Sequence, residues 1–138
     1  NAVAKAVVPK FTVIVGNSYG DGNYAMCGKA YDPRLIVAWP TARIAEMGGE
    51  QAAKTLLQIQ AASRESKEQP IDPAEEKKLL TQIRDRYEKQ TSPYYAAARL
   101  WVDALIDPLE TRHILSEGIK AANHNPRFNE FKTGVFQV

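Results

Sequence analysis

Phe11-Thr-Val-Ile-Val15 runs almost without interruption in β-branched and aromatic side chains, then stops at a segment punctuated by Gly16, Gly20, Gly22 and Gly28. Continuous rather than alternating apolar character predicts a strand buried on both faces, as in a parallel sheet. The segment from Gly16 to Gly22 reads as a loop by composition. Asn23 to Cys27 then has room only for a short helix before Gly28 and Asp32-Pro33 stop it. Strand, glycine turn and short helix set the frame for the rest of the chain, and the fold class is α/β.

Leu35-Ile-Val-Ala-Trp39 reads as a second strand and Arg43 to Met47 as a third, with Pro40-Thr41 between them. Gly48-Gly49 opens a helix in which Ala52, Ala53, Leu56 and Leu57 recur at helical spacing to about Ala62. Ser63 to Gln69 is a charged linker or frayed helix end. Asp72-Pro73-Ala74-Glu75 places an acidic cap, a Pro and a Glu in capping-box order before a charged helix over about 72–90. Only its Leu79, Leu80, Ile83 and Tyr87 suit a core. Ser92-Pro93 begins a helix holding Tyr94, Ala97, Ala98 and Trp101, and Asp107-Pro108 begins another with Leu115, Gly118, Ile119 and Ala122 on one face. The chain is irregular from Asn125. Asn1 to Val8 reads as the tail of a helix without a start, so more chain is expected before it.

Of the 138 residues 44% are hydrophobic and 25% charged, which predicts a packed, soluble domain. The 18 basic and 16 acidic residues are well mixed, so neither nucleic acid nor a membrane surface is an expected partner. No stretch approaches the roughly 20 apolar residues of a membrane span. The single cysteine, Cys27, excludes an internal disulfide and reads as packing; it fits a reducing compartment. No metal is expected: His113 and His124 lack ligand spacing to each other or to Cys27.

Chemistry concentrates in the turn. A strand feeding a glycine-rich turn and a helix N-terminus leaves several backbone N–H groups without intrahelical partners, aimed at one spot that suits a phosphate or a developing oxyanion. Gly20-Asp-Gly-Asn-Tyr-Ala25 also fits G-x-G-x-x-G/A, but the dinucleotide fingerprint needs a long helix after it, and none follows. The turn also lacks the Gly-Lys-Ser/Thr ending of a P-loop. A turn that uses glycine only for its backbone angles is the plain alternative. Ser18 has no Gly-x-Ser-x-Gly elbow, and the run Glu75-Glu-Lys-Lys78 is a solvated helix face.

At this turn the sequence resembles the carboxyltransferase (β) subunit of biotin-dependent acyl-CoA carboxylases, in particular the methylcrotonyl-CoA carboxylase branch. The residues that carry the resemblance are Val8 to Ile14, Ser18 to Gly28, Ala30 to Arg34, Trp39 to Ile44 and Met47 to Ala53. Ser92-Pro-Tyr-Tyr, Ala98-Arg-Leu-Trp and Ile106-Asp-Pro follow in family order. The resemblance implies a ClpP/crotonase-like fold, with residues 1–138 as the C-terminal part of the second, biotin-side carboxyltransferase domain. It implies transfer of a carboxyl group from carboxybiotin to an acyl-CoA of the methylcrotonyl-CoA or propionyl-CoA type. By position the backbone amides of Asp21 and Gly22 would form the oxyanion hole for the biotin enolate, with Gly20 as the turn residue. Asn23 and Tyr24 would face the substrate or biotin pocket.

Biotin on a separate carrier and a CoA thioester are the implied cofactor and substrate. The implied partners are the N-terminal carboxyltransferase domain, a second carboxyltransferase subunit, usually in a hexamer, and the biotin carboxylase or carrier subunit. The implied compartment is bacterial cytoplasm or mitochondrial matrix, and the fragment alone is expected to be inactive. A related decarboxylase subunit and a non-catalytic or impaired assembly module are the alternatives. The second of these is prompted by Asp21, where relatives carry a small residue, and Glu46, where they carry an apolar one. Asp21 is expected to turn away from the pocket or to pair with Lys29 or Arg43.

Overall fold

The computed structural model describes residues 1–65, 73–127 and 129–131. Helix α1 (Ala2–Lys5) precedes β1 (Phe11–Ile14), β2 (Asn17–Tyr19) and α2 (Gly20–Ala25). A 3-10 turn at Lys29–Tyr31 leads to β3 (Leu35–Ala38) and β4 (Arg43–Ala45). Next come α3 (Gly49–Glu65), α4 (Pro73–Gln90), α5 (Pro93–Ala97), β5 (Ala104–Leu105) and, after a 3-10 turn at Pro108–Glu110, α6 (Thr111–Asn123). The described strands pair only in parallel. One sheet has the order β1-β3-β5, and β2 pairs with β4 in a second.

The two sheets are one ladder broken by a proline. Phe11 to Ile14 lie opposite Leu35 to Ala38, and Asn17 to Tyr19 opposite Arg43 to Ala45. Between them Trp39 N–H donates to Ile14 O at 2.9 Å and Arg43 N–H to Gly16 O at 3.0 Å. Pro40 has no N–H to offer, so the longer strand loops out there. The Thr41 hydroxyl ties the loop back by donating to Val15 O at 2.6 Å.

The core sits on β3, not on β1. Ile36, Val37 and Ala38 are essentially fully buried, whereas in β1 only Ile14 is, and Val15 is 46% exposed. The expected two-face burial of Phe11 to Val15 is therefore corrected, because β1 is paired on one edge only among the described strands. Ile14, Ile36, Ala38, Ala42, Ile44, Ala96 and Val102 form the central cluster. At about 25 cal/mol per Å² of apolar surface, each fully buried Ile or Val contributes roughly 1.5–3 kcal/mol.

The loop expected over Gly16 to Gly22 is instead β2 followed directly by the first turn of α2. α3 runs to Glu65, past the expected end. Ala52 and Ala53 bury at its base, while Leu56 stays exposed. α3 and α4 pack as an antiparallel pair, and Arg64 meets Glu75 at 3.0 Å across it. Leu79, Leu80, Ile83 and Tyr87 are half-buried along α4 as expected. Asp72 of the expected capping box and most of the expected linker lie outside the described residues. Thr91 fixes the end of α4 to the sheet, since its carbonyl accepts from Ile44 N–H at 3.0 Å.

The helix expected from Ser92-Pro93 is cut short at Ala97. Leu100 N–H donates to Ala97 O and Trp101 N–H to Ala96 O, both at 3.0 Å, with Leu100 left-handed at φ 59°. That is a Schellman ending, and the apolar contact that usually accompanies it is the edge-on pairing of Tyr95 with Trp101, 5.9 Å between ring centroids. Trp101 therefore lies beyond the helix rather than on its buried face, and Tyr94 is exposed. On α6 the inward positions include Ile114, Leu115, Gly118 and Ala122, whereas Ile119 is 51% exposed.

Gly118 lets α6 approach the sheet, because a Cβ there would lie 2.9 Å from Cε1 and 3.3 Å from Cδ1 of Phe11. Gly118→Leu is expected to lower the unfolding free energy by about 1–3 kcal/mol through overpacking. Gly118→Ala should cost less, since about 1 kcal/mol of helix propensity is gained. Denaturant melts of the two variants check this, and a Leu variant as stable as the parent would contradict it.

Candidate functional site

The turn into α2 is held by a backbone contact. Gly20 has φ 48°, a left-handed conformation that disfavours side chains, and a Cβ there would stand 2.7 Å from Glu46 O. Two independent reasons thus require glycine. The chain turns from β2 straight into a helix of six residues, and the first four amides of any such helix lack an intrahelical acceptor. The helix ends with Met26 N–H on Gly22 O at 3.1 Å.

Cys27, not Gly28, takes the left-handed position at the end of α2, with φ 65°. Cys27 is buried, as its packing role predicts, and its carbonyl accepts from the Thr12 hydroxyl at 2.8 Å. Gly28 is needed for closeness: a Cβ would lie 2.7 Å from Asn23 Oδ1 and 2.9 Å from Asn23 O. The dinucleotide reading is closed off by geometry as well as by sequence, since six residues of helix cannot provide its long helix.

Two cavities flank α2. One, of about 250 Å³, is walled by Gly20, Asn23 and Tyr24 together with Lys29, Ile44 and Trp101, with Ile14 and Ile36 also on its surface. The other, of about 490 Å³, follows the open edge of β1 and β2 and includes Gly22, Asn23 and Met26. Of the five candidate residues, Gly20, Asn23 and Tyr24 meet at the first cavity, Gly22 and Asn23 at the second, and Asp21 at neither. The Asp21 carboxylate is exposed to solvent. It does not pair with Lys29 or Arg43: Lys29 meets Asp103 at 2.8 Å and Arg43 approaches Glu88 at 3.9 Å.

Tyr24 rests on Tyr31, with ring centroids 4.5 Å apart and an interplanar angle of 48°. A hydrogen bond with Tyr24, helped by desolvation, pushes the Tyr31 hydroxyl above its ordinary range. The raised Tyr31 hydroxyl stays neutral in the physiological range, so the ring that backs Tyr24 carries no charge. Among the described residues no group of three His, Cys, Asp or Glu side chains gathers as a metal site.

The residues that sequence reasoning missed come from far along the chain. Asp103 accepts from Lys29 Nζ at 2.8 Å and, through its other oxygen, from Ile36 N–H at 2.8 Å, across separations of 74 and 67 residues. The lysine first, then the Ile36 amide, holds the Asp103 carboxyl below its ordinary pKa. Trp101 reaches the cavity only because α5 ends early.

A lowered folded-state pKa contributes stability above the unfolded value and loses it as pH falls through the folded value. Acidification below about pH 4 is therefore expected to weaken the fold partly through Asp103. Asp103→Asn should flatten that acid limb while costing under about 1 kcal/mol at neutral pH, because the ion pair is solvent-screened. Asp103→Ala strands the Ile36 N–H and should cost about 1–3 kcal/mol. Urea melts between pH 3 and pH 7 test the pair, and identical acid limbs in parent and Asn variant would refute the assignment.

Comparison with known proteins places this geometry in context. The model of the family described as "Carboxyl transferase domain" matches residues 1–136. The chain is 50% identical over 99% of its length to a Drosophila melanogaster protein named as the probable mitochondrial methylcrotonoyl-CoA carboxylase beta chain, of which it covers 24%. It is 46% identical over 99% of its length to the Mycobacterium tuberculosis biotin-dependent 3-methylcrotonyl-coenzyme A carboxylase beta1 subunit, covering 26% of that protein. Among solved structures, the transcarboxylase 12S hexamer with hydrolysed methylmalonyl-coenzyme A bound superposes with a TM-score of 0.77 at 29% identity, over 98% of this chain and 24% of that one. The chain thus spans about a quarter of the length of these relatives.

Proposed function

The chain belongs to the carboxyl transferase domain family and has its crotonase-like α/β fold, and from that membership we propose that it is the biotin-side, C-terminal part of the second domain of a carboxyltransferase subunit. In this reading the complete protein moves a carboxyl group from carboxybiotin to an acyl-CoA of the methylcrotonyl or propionyl type. The observation that carries it is the family match over almost the whole chain, which includes the glycine turn and both walls of the cavity beside it.

Biotin, brought in on a separate carrier, supplies the carboxyl group and the base that takes a proton from the acyl-CoA. The residues here suit that visitor. Gly20 turns the chain so that the amides of Asp21 and Gly22 open α2, and these donate to a negatively charged oxygen. A Cβ at Gly22 would meet nothing within 4 Å, so a methyl there is accommodated. Asn23 and Tyr24 wall the cavity on one side of α2 together with Ile14, Ile36 and Ile44, while Gly22 and Asn23 border the cavity on the other. Backbone donors do not need a particular side chain, and the exposed Asp21 carboxylate adds no charge to either cavity.

The acyl-CoA half of the site comes from the N-terminal carboxyltransferase domain of another subunit in a hexamer, with the biotin carboxylase or carrier subunit as third partner. Mitochondrial matrix and bacterial cytoplasm are the compartments that fit, and no helix among the described residues is long and apolar enough to cross a membrane.

The test is carboxyl transfer by the complete subunit with its biotin partner, across methylcrotonyl- and propionyl-CoA. Gly22→Pro removes one donor that has no intrahelical acceptor in the first turn of α2, and is expected to lower kcat about 10²–10³-fold. Gly22→Ala, which keeps the N–H, separates loss of the donor from loss of shape. A folded, assembled parent that carboxylates no acyl-CoA would overturn the reading.

A further inference from the structure

A third cavity lies where the start of β1 and β3 meets α6. It encloses about 350 Å³, within the range of small-molecule pockets, and its apolar walls include Val7, Pro9, Phe11 and Leu35. Two guanidinium groups, Arg34 and Arg127, stand on the same cavity. Neither forms an ion pair or a side-chain hydrogen bond among the described residues, whereas Arg43, Arg64 and Arg99 all have partners. Among the described residues no Asp or Glu lines the cavity to offset the two positive charges.

Gly118 lies at the point where α6 comes down on Phe11. The missing side chain therefore sets the helix close against the sheet at the edge of the cavity. An apolar wall with two unpaired, planar donors matches a ligand that has an aliphatic body and a carboxylate head, since guanidinium groups grip carboxylates bidentately. We propose that this cavity binds a medium-chain aliphatic carboxylate, with Arg34 and Arg127 holding the head group and Val7, Phe11 and Leu35 covering the chain. The site shares no lining residue with the cavity beside α2, and the proposal does not depend on the carboxyltransferase reading.

Octanoate is the probe, titrated calorimetrically into the complete, assembled protein, with octanol and acetate as controls for tail and head alone. Saturable binding of octanoate is expected, with neither control competing at equal concentration. Arg34→Gln and Arg127→Gln, both at exposed positions where such changes leave folding intact, should each weaken binding about three- to tenfold. Gly118→Ala, which narrows the space beside Phe11, should weaken it as well. Absence of saturable octanoate binding, equal affinity for octanol, or an Arg34→Gln/Arg127→Gln double variant that binds as tightly as the parent would each overturn the proposal.

Discussion

The approach of the Gly20 backbone to the Glu46 carbonyl is the contact on which the arrangement around α2 depends. β2 and β4 are parallel neighbours, so their ends emerge side by side, and the chain leaving β2 must turn immediately if α2 is to sit beside the sheet. A Cβ at position 20 would collide at 2.7 Å with a main-chain oxygen that cannot rotate away. With glycine, the first amides of α2 open beside β1 and β4, and the cavity forms against Ile14 and Ile44. Glu46 takes part through its carbonyl while remaining exposed. An acidic side chain at that position is therefore compatible with the turn, because the contact is made by backbone alone.

Much of this arrangement was legible in the sequence because its signals are local. The β-branched runs and Pro40 dictate backbone behaviour within a few residues, and β1, β3 and β4 fall where they indicate, whereas the glycine cluster holds β2 and the start of α2 rather than the loop its composition suggests. Glycine is read less well when its role is steric. Gly28 looks like a helix stop, yet Cys27 takes the left-handed angle and Gly28 serves only to clear Asn23. Composition alone does not separate these two uses.

What stayed illegible is whatever depends on residues far apart. Asp103 has no motif around it, and its importance comes from meeting Lys29 and the Ile36 amide across most of the chain. β5 is only two residues long, too short to show a period. The early end of α5 had no glycine to announce it, since Leu100 adopts the left-handed angle itself. The edge-on packing of Trp101 on Tyr95 offsets some of that strain, of order 1–2 kcal/mol. Trp101 was assigned to a helix face for the same reason: its place is fixed by a capping motif that uses none of the usual capping residues.

These distant contacts also explain how a short sheet holds a cavity open. Asp103 ties the turn carrying Lys29 to the β3–β5 ladder, whose own backbone bonds include Asp103 N–H on Ile36 O at 2.8 Å. Its two oxygens are both engaged, so it cannot swing without breaking one bond. Lys29 is thereby kept at the cavity rim rather than free to move into the pocket, and Ile36 is held with its side chain in the wall. The cavity walled by Gly20, Lys29 and Ile36 thus rests on two supports of different kind. One is a glycine that allows close approach, and the other a carboxylate that prevents the opposite wall from closing or drifting. Because the two act on different walls, damage to either should alter the cavity's shape while the central β3 core remains packed.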